Sequence, residues 1–121
     1  VLATMSATGR PDLVPCCFAL DGVRWYSAID DKPKTTVRLQ RLENVSADAR
    51  VTLLFDSYSE DWERLWWVRA AGRARVLDDG SERDDAVALL LAKYPQYRTH
   101  ALDGPVVAAA LERWQAWAAH P

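Results

Sequence analysis

Reactive and metal-ligating side chains are scarce in these 121 residues: the only cysteines are Cys16 and Cys17, and the only histidines are His100 and His120. The cysteines adjoin on what reads as a strand, where neighbouring side chains point to opposite faces. A disulfide between them would be strained, and packing is their simplest role. Neither histidine stands at ligand spacing from them, so a zinc site and a hydrolytic Cys–His pair both lack support, and no catalytic residue or metal ligand is expected. No stretch approaches the roughly 18 consecutive apolar residues of a membrane helix, and no basic-then-apolar leader opens the chain. Lysine is rare as well, with three residues, and Lys+Arg total 15 against 17 Asp+Glu, a formal net charge of −2. Without an overall basic field, neither nucleic acid nor a membrane is an expected partner. Any anion site has to be local.

What is present suits a folded, cytoplasmic protein. Half of the residues are hydrophobic and 26% are charged, enough for one core and too little bias for disorder or low complexity. One domain over residues 1–121 is expected. Val1 lies inside an apolar run, and an upstream segment is expected before it.

Short apolar runs separated by turn signals dominate the first half, as in an antiparallel sheet or barrel. Strands are expected over Val1 to Ser6, Leu13 to Leu20 and Val23 to Ile29, with Asp21-Gly22 joining the last two as a hairpin. The spacing of Thr35, Leu39 and Leu42 predicts a helix from Lys34 to Leu42, with Pro33 in its first turn. Strands follow over Val51 to Tyr58 and Leu65 to Leu77. In the latter, Trp67, Arg69, Arg73 and Arg75 share one face, and Gly72 marks a bulge. Ser81 and Asp84 resemble a capping box for a helix ending at Pro95, and Val106 to about Trp117 is the last strand. The order predicts an α+β domain built on a β-barrel.

The segment from Lys32 to Arg41 carries four cations and no acid. A loop and helix start bearing Lys32, Lys34, Thr35 and Thr36 offer backbone amides, hydroxyls and point charges together, which is what a phosphate needs. A solvated helix turn capped by Asp30 or Asp31 would explain the aspartates. It would not explain cations set against the helix dipole. The segment has no glycine, so Walker and dinucleotide fingerprints are excluded. Trp67 beside Arg69 suits a planar anionic ligand, whereas a plain solvated arginine row is the alternative. Most of the six tryptophans are expected in a core or an oligomer interface. Without a nucleophile–base pair, any chemistry would be borrowed from a cofactor.

The ordered series Gly9-Arg-Pro-Asp-Leu-Val-Pro15, Phe18-Ala-Leu-Asp-Gly22, Tyr26-Ser-Ala28, Lys32-Pro-Lys-Thr-Thr36, Arg50-Val-Thr-Leu-Leu54 and Leu65-Trp-Trp-Val-Arg-Ala-Ala-Gly-Arg-Ala74 resembles the pyridoxamine 5′-phosphate oxidase-like split-barrel superfamily. Within it, the series is most similar to the branch that uses the deazaflavin coenzyme F420. The resemblance implies a split β-barrel homodimer with cofactor sites in grooves between subunits. It implies that Lys32, Lys34, Thr35 and Thr36 hold the cofactor phosphate and that Val14, Pro15 and Ser27 border the ring system. Trp67 and Arg69 join this set from the strand reading, and the four cations Lys32, Lys34, Arg38 and Arg41 would also suit the acidic tail of F420. The implied reaction is hydride transfer from reduced deazaflavin to an unsaturated or quinone-like small molecule. An FMN-dependent oxidoreductase of the same fold, and a non-catalytic module for flavin, haem or a bilin-like ligand, stand as alternatives. The apparent relatives carry an additional N-terminal helix, and true pyridoxamine phosphate oxidases are much longer.

Overall fold

Seven strands form one antiparallel sheet in the order β2-β1-β5-β6-β7-β4-β3 in the computed structural model, which describes residues 1–29, 36–99 and 102–120 and the side chains of all of these except 36–39. The strands are β1 (Leu2–Met5), β2 (Pro11–Val14), β3 (Ala19–Asp21), β4 (Arg24–Ala28), β5 (Arg50–Ser57), β6 (Trp66–Leu77) and β7 (Val106–Ala118). Two helices, α1 (Thr36–Ala47) and α2 (Ser81–Lys93), complete an α+β split barrel. Gly22, at φ 61°, opens the two-residue loop between Asp21 and its partner Arg24, where a left-handed residue matches the twist of the strands.

Trp25 to Ala28 of β4 and Val106 to Ala109 of β7 are buried on both faces, which is why Val106 to Ala109 reads as an unbroken apolar run. Trp25, Ile29, Val107, Ala109 and Leu111 join Leu2, Val45, Leu53 and Ala70 inside the barrel. Tyr26, Ala28, Val106 and Ala108 face the other way, onto Ala86 and Leu90 of α2. The Tyr26 hydroxyl and Arg75 both donate to Glu82, at 2.8 and 2.5 Å, and tie that helix to the sheet.

Gly72 sits at an irregularity in the β6–β7 ladder, as expected, but the extra residue is on the partner. Ala71 pairs with Arg113 and Gly72 with Leu111, so Glu112 is the bulged residue. The glycine is needed because a Cβ there would overlap the Ala110 carbonyl oxygen and lie 2.9 Å from its carbon.

Three expectations need correction. The run Leu13 to Leu20 is not one strand: β2 ends at Val14 and β3 begins at Ala19, because Pro15 has no amide hydrogen to continue a ladder. Cys16 and Cys17 therefore lie in the connector, both as free thiols. α1 runs on past Leu42 to Ala47, and the part of the expected helix before Thr36 lies outside the described residues. Gly80, not Ser81, occupies the N-cap of α2, with no side-chain cap. Glu82 and Asp84 still face its positive end. No helix among the described residues is long and apolar enough to cross a membrane.

Candidate functional site

Where α1 packs on the β1–β2 hairpin, a crevice of about 320 Å³ opens, lined by Thr4, Asp12, Val14, Gln40, Arg41 and Asn44. Its floor is a hydrogen-bonded chain. Asn44 Nδ2 donates to Thr4 Oγ1 at 3.0 Å and to Asp12 Oδ2 at 2.7 Å, and Gln40 Nε2 donates to Asn44 Oδ1 at 2.7 Å. Arg41 is the exception to this satisfaction. Its Nε is buried and has no hydrogen-bond partner among the described residues. A buried, unpaired donor on a charged group costs about 1–3 kcal/mol unless something supplies an acceptor. The first turn of α1 also contains no acidic residue, in contrast to that of α2.

The connector after β2 is held from three sides. Ser27, 1% exposed on β4, donates its hydroxyl to the Cys17 carbonyl at 2.7 Å. The Phe18 amide donates to the Tyr94 hydroxyl at 3.2 Å, and Lys93 Nζ donates to the Phe18 carbonyl at 2.8 Å while lying 3.6 Å from the Phe18 ring centroid. Burial pushes the Cys16 thiol up from its ordinary pKa, with the Ser27 hydroxyl and the Arg41 charge acting in the opposite direction. A thiol kept protonated in this way is a packing group rather than a nucleophile. His120 is exposed and His100 lies outside the described residues. No group of three or more His, Cys, Asp or Glu among the described residues could hold a metal ion.

A second groove, about 450 Å³, lies on the outer face of the sheet and is lined by Leu54, Asp56, Tyr58, Trp67, Arg69 and Trp117 among others. The Arg69 guanidinium stands 5.3 Å from the Trp67 ring centroid, and Arg69 donates to Gln115 on β7. Of the tryptophans, Trp25 is core at 1% exposure, whereas Trp62, Trp66, Trp114 and Trp117 are exposed on the chain.

The sequence-predicted residues thus fall into separate groups. Val14 lines the crevice, and exposed Pro15 follows it in the connector. Ser27 directs its hydroxyl at that connector. Trp67 and Arg69 share the outer groove and are not among the residues lining the crevice. Lys32, Lys34 and Thr35 lie outside the described residues. Thr36 opens α1, with its side chain outside them. Sequence reasoning missed Thr4, Asp12, Gln40 and Asn44. The signal for two of them was the spacing Thr36, Gln40, Asn44, a polar stripe along one helix face.

Residues 1–118 match the model of the pyridoxamine 5′-phosphate oxidase family. Among solved structures, the chain is similar to a conserved hypothetical protein, Rv2991, of Mycobacterium tuberculosis, with a TM-score of 0.76, 18% identity, and coverage of 98% of this chain and 75% of the other. It is similar to HupZ of Group A Streptococcus, with a TM-score of 0.72, 21% identity, and coverage of 96% and 86%. It is also similar to HutZ, the heme storage protein of Vibrio cholerae, with a TM-score of 0.71, 14% identity, and coverage of 97% and 82%. At these identities the likeness is one of fold. No curated protein sequence matches the chain.

Proposed function

The chain belongs to the pyridoxamine 5′-phosphate oxidase family, and on that premise we propose that it is an oxidoreductase using coenzyme F420, with FMN as the alternative cofactor. The observation that carries this reading is the buried Arg41 Nε without an acceptor among the described residues, in a crevice bordered by Val14 and by the helix that follows the Lys32–Lys34 cations in sequence. The donor set fits an anionic, ring-bearing cofactor. A buried Arg41 Nε without an acceptor among the described residues and a first helix turn without an acid suit its anionic groups, and aliphatic Leu13 and Val14 suit a flat ring.

When bound, the reduced cofactor supplies a hydride for an unsaturated or quinone-like small molecule. The chain's own contribution is binding and orientation. Arg41, Lys32, Lys34, Thr35 and Thr36 hold the anionic groups, Val14 and Pro15 border the ring, and Ser27 fixes the connector that carries Pro15. No protein nucleophile takes part.

Titration with F420 and FMN, followed by quenching of tryptophan fluorescence, tests the reading. Saturable binding of F420 is expected, and binding of FMN alone would move the assignment to the alternative. Lys34→Ala is expected to weaken cofactor binding about tenfold, the scale of one charge-assisted contact, with little change in melting temperature. A lower melting temperature at unchanged affinity would mark Lys34 as a helix-turn residue only.

A homodimer is part of the proposal. Trp66, Trp114 and Trp117 are 43%, 47% and 48% exposed, and Trp67 and Arg69 lie on the outer sheet face beside Trp117, a surface suited to a second copy that completes each site. Sedimentation is expected to give twice the 13.6 kDa chain mass, with cofactor affinity falling on dilution. A monomer that binds the cofactor at every concentration would remove this element.

A second reading, a non-catalytic haem carrier, is favoured by the fold likeness to HutZ. Binding of haemin with no binding of F420 or FMN would select it.

A further inference from the structure

We propose that Asn44 is a positioning residue: it sets the bearing of Arg41 across the crevice without touching the ligand. The inference rests on the reading of the crevice as the cofactor site. Asn44 is 1% exposed, and it is one of three buried polar residues in the described part of the chain, with Thr4 and Ser27. It ties together segments 32 and 40 residues apart in sequence, through Asp12 and Thr4, and takes the Gln40 amide from its own helix one turn back.

An amide in this position has its oxygen and its NH₂ group engaged, and each bond is directional. Apolar contacts alone, such as those of Leu42 and Val45 with the barrel interior, resist separation of α1 from the sheet but tolerate sliding along it. The Asn44 bonds remove that freedom. All three partners line the crevice, and Arg41 follows Gln40 directly, so any slip of α1 moves the guanidinium relative to Val14. A misplacement of about 1 Å in a binding constellation is enough to lose most of what a directional contact contributes. Asn44 carries no charge and titrates nowhere. Its effect on binding is therefore geometric.

The alternative is a buried amide that only stabilises the packing of α1, and a double-mutant cycle separates the two. Asn44→Leu combined with Thr4→Val removes the most buried donor and acceptor together, leaving partly exposed Asp12 and Gln40 free to hydrate, so the fold is retained. In the full chain, this variant is expected to bind F420 or FMN about thirtyfold more weakly. Arg41→Met, which costs about a hundredfold alone, is expected to cost only about threefold in that background. Riboflavin, which carries no phosphate, serves as the control and is expected to bind the variant and the parent equally. Additive losses, or unchanged cofactor affinity in the Asn44→Leu/Thr4→Val variant, would overturn the positioning role while leaving the cofactor site in place. Failure of the unsubstituted protein to bind either cofactor would overturn both.

Discussion

Arg41→Met is expected to lower affinity for the bound cofactor about a hundredfold while leaving the melting temperature unchanged or raising it. The two effects have opposite signs because they come from one observation. Among the described residues of the free chain the Arg41 Nε is a buried donor without an acceptor, a burden of about 1–3 kcal/mol that methionine, similar in length and uncharged, removes. With an anionic oxygen in the crevice, the same donor makes a charge-assisted hydrogen bond in a poorly hydrated setting. Losing a contact of that kind costs about 1.5–3 kcal/mol, close to the 2.7 kcal/mol that corresponds to two decades of affinity. Arg41→Lys keeps the charge but loses the Nε–H, and it is expected to recover only part of the affinity. Isothermal titration of FMN against riboflavin, and of F420 against its phosphate-free core deazaflavin, gives the readout. The penalty should fall on the phosphorylated member of each pair. Equal losses within each pair, or a lower melting temperature with unchanged affinity, would show that Arg41 belongs to the scaffold alone. A functional group whose removal stabilises the protein is the ordinary signature of a site held ready for a ligand.

Local patterns in the sequence carried the hairpins, both helices, the long arginine-bearing strand and the glycine at the bulge. Each depends on residues within a few positions of one another: Gly22 for a turn that needs φ near 61°, alternation for β6, and the acidic first turn and Pro95 for the extent of α2. What stayed hidden depends on partners far away in the chain. Leu13 to Leu20 looks like one strand because its residues are apolar, whereas the break at Pro15 is held by Ser27, Lys93 and Tyr94, up to 76 residues distant. α1 looked shorter than it is because Asn44 is polar on a buried face, and that polarity makes sense only once Thr4 and Asp12 are alongside. The site divides in the same way. Of the residues that line the crevice, Val14 and Arg41 stood out in the sequence, from resemblance and from a local charge run. The floor beneath them did not, since β1, β2 and α1 contribute one or two side chains each. The bulge shows the same limit at smaller scale: Gly72 announces it, but that Glu112 is the extra residue follows from a register set by strands 40 residues apart.

That register makes Gly72→Ala the substitution with the largest expected effect on stability. The added methyl would overlap the Ala110 carbonyl oxygen and stand 2.9 Å from the Ala110 carbon and 3.0 Å from the Leu111 Cα, all backbone atoms of the neighbouring strand. No side chain can rotate away to make room. Relief requires β7 itself to move, and β7 is held between β6 on one side and β4 on the other, with Leu111, Val107 and Ala109 packed in the barrel. Overpacking that a core can absorb costs about 1–3 kcal/mol, and a clash confined to backbone belongs at or above the top of that range. For a domain of this size, that corresponds to a fall in melting temperature of about 10 °C or more. The position lies outside the set of residues lining the crevice, so whatever fraction of Gly72→Ala remains folded should bind the cofactor with parental affinity. A variant that melts within about 2 °C of the parent would mean that the strands accommodate a side chain at this point, and that the close approach of β6 and β7 is not what holds Glu112 out of the ladder.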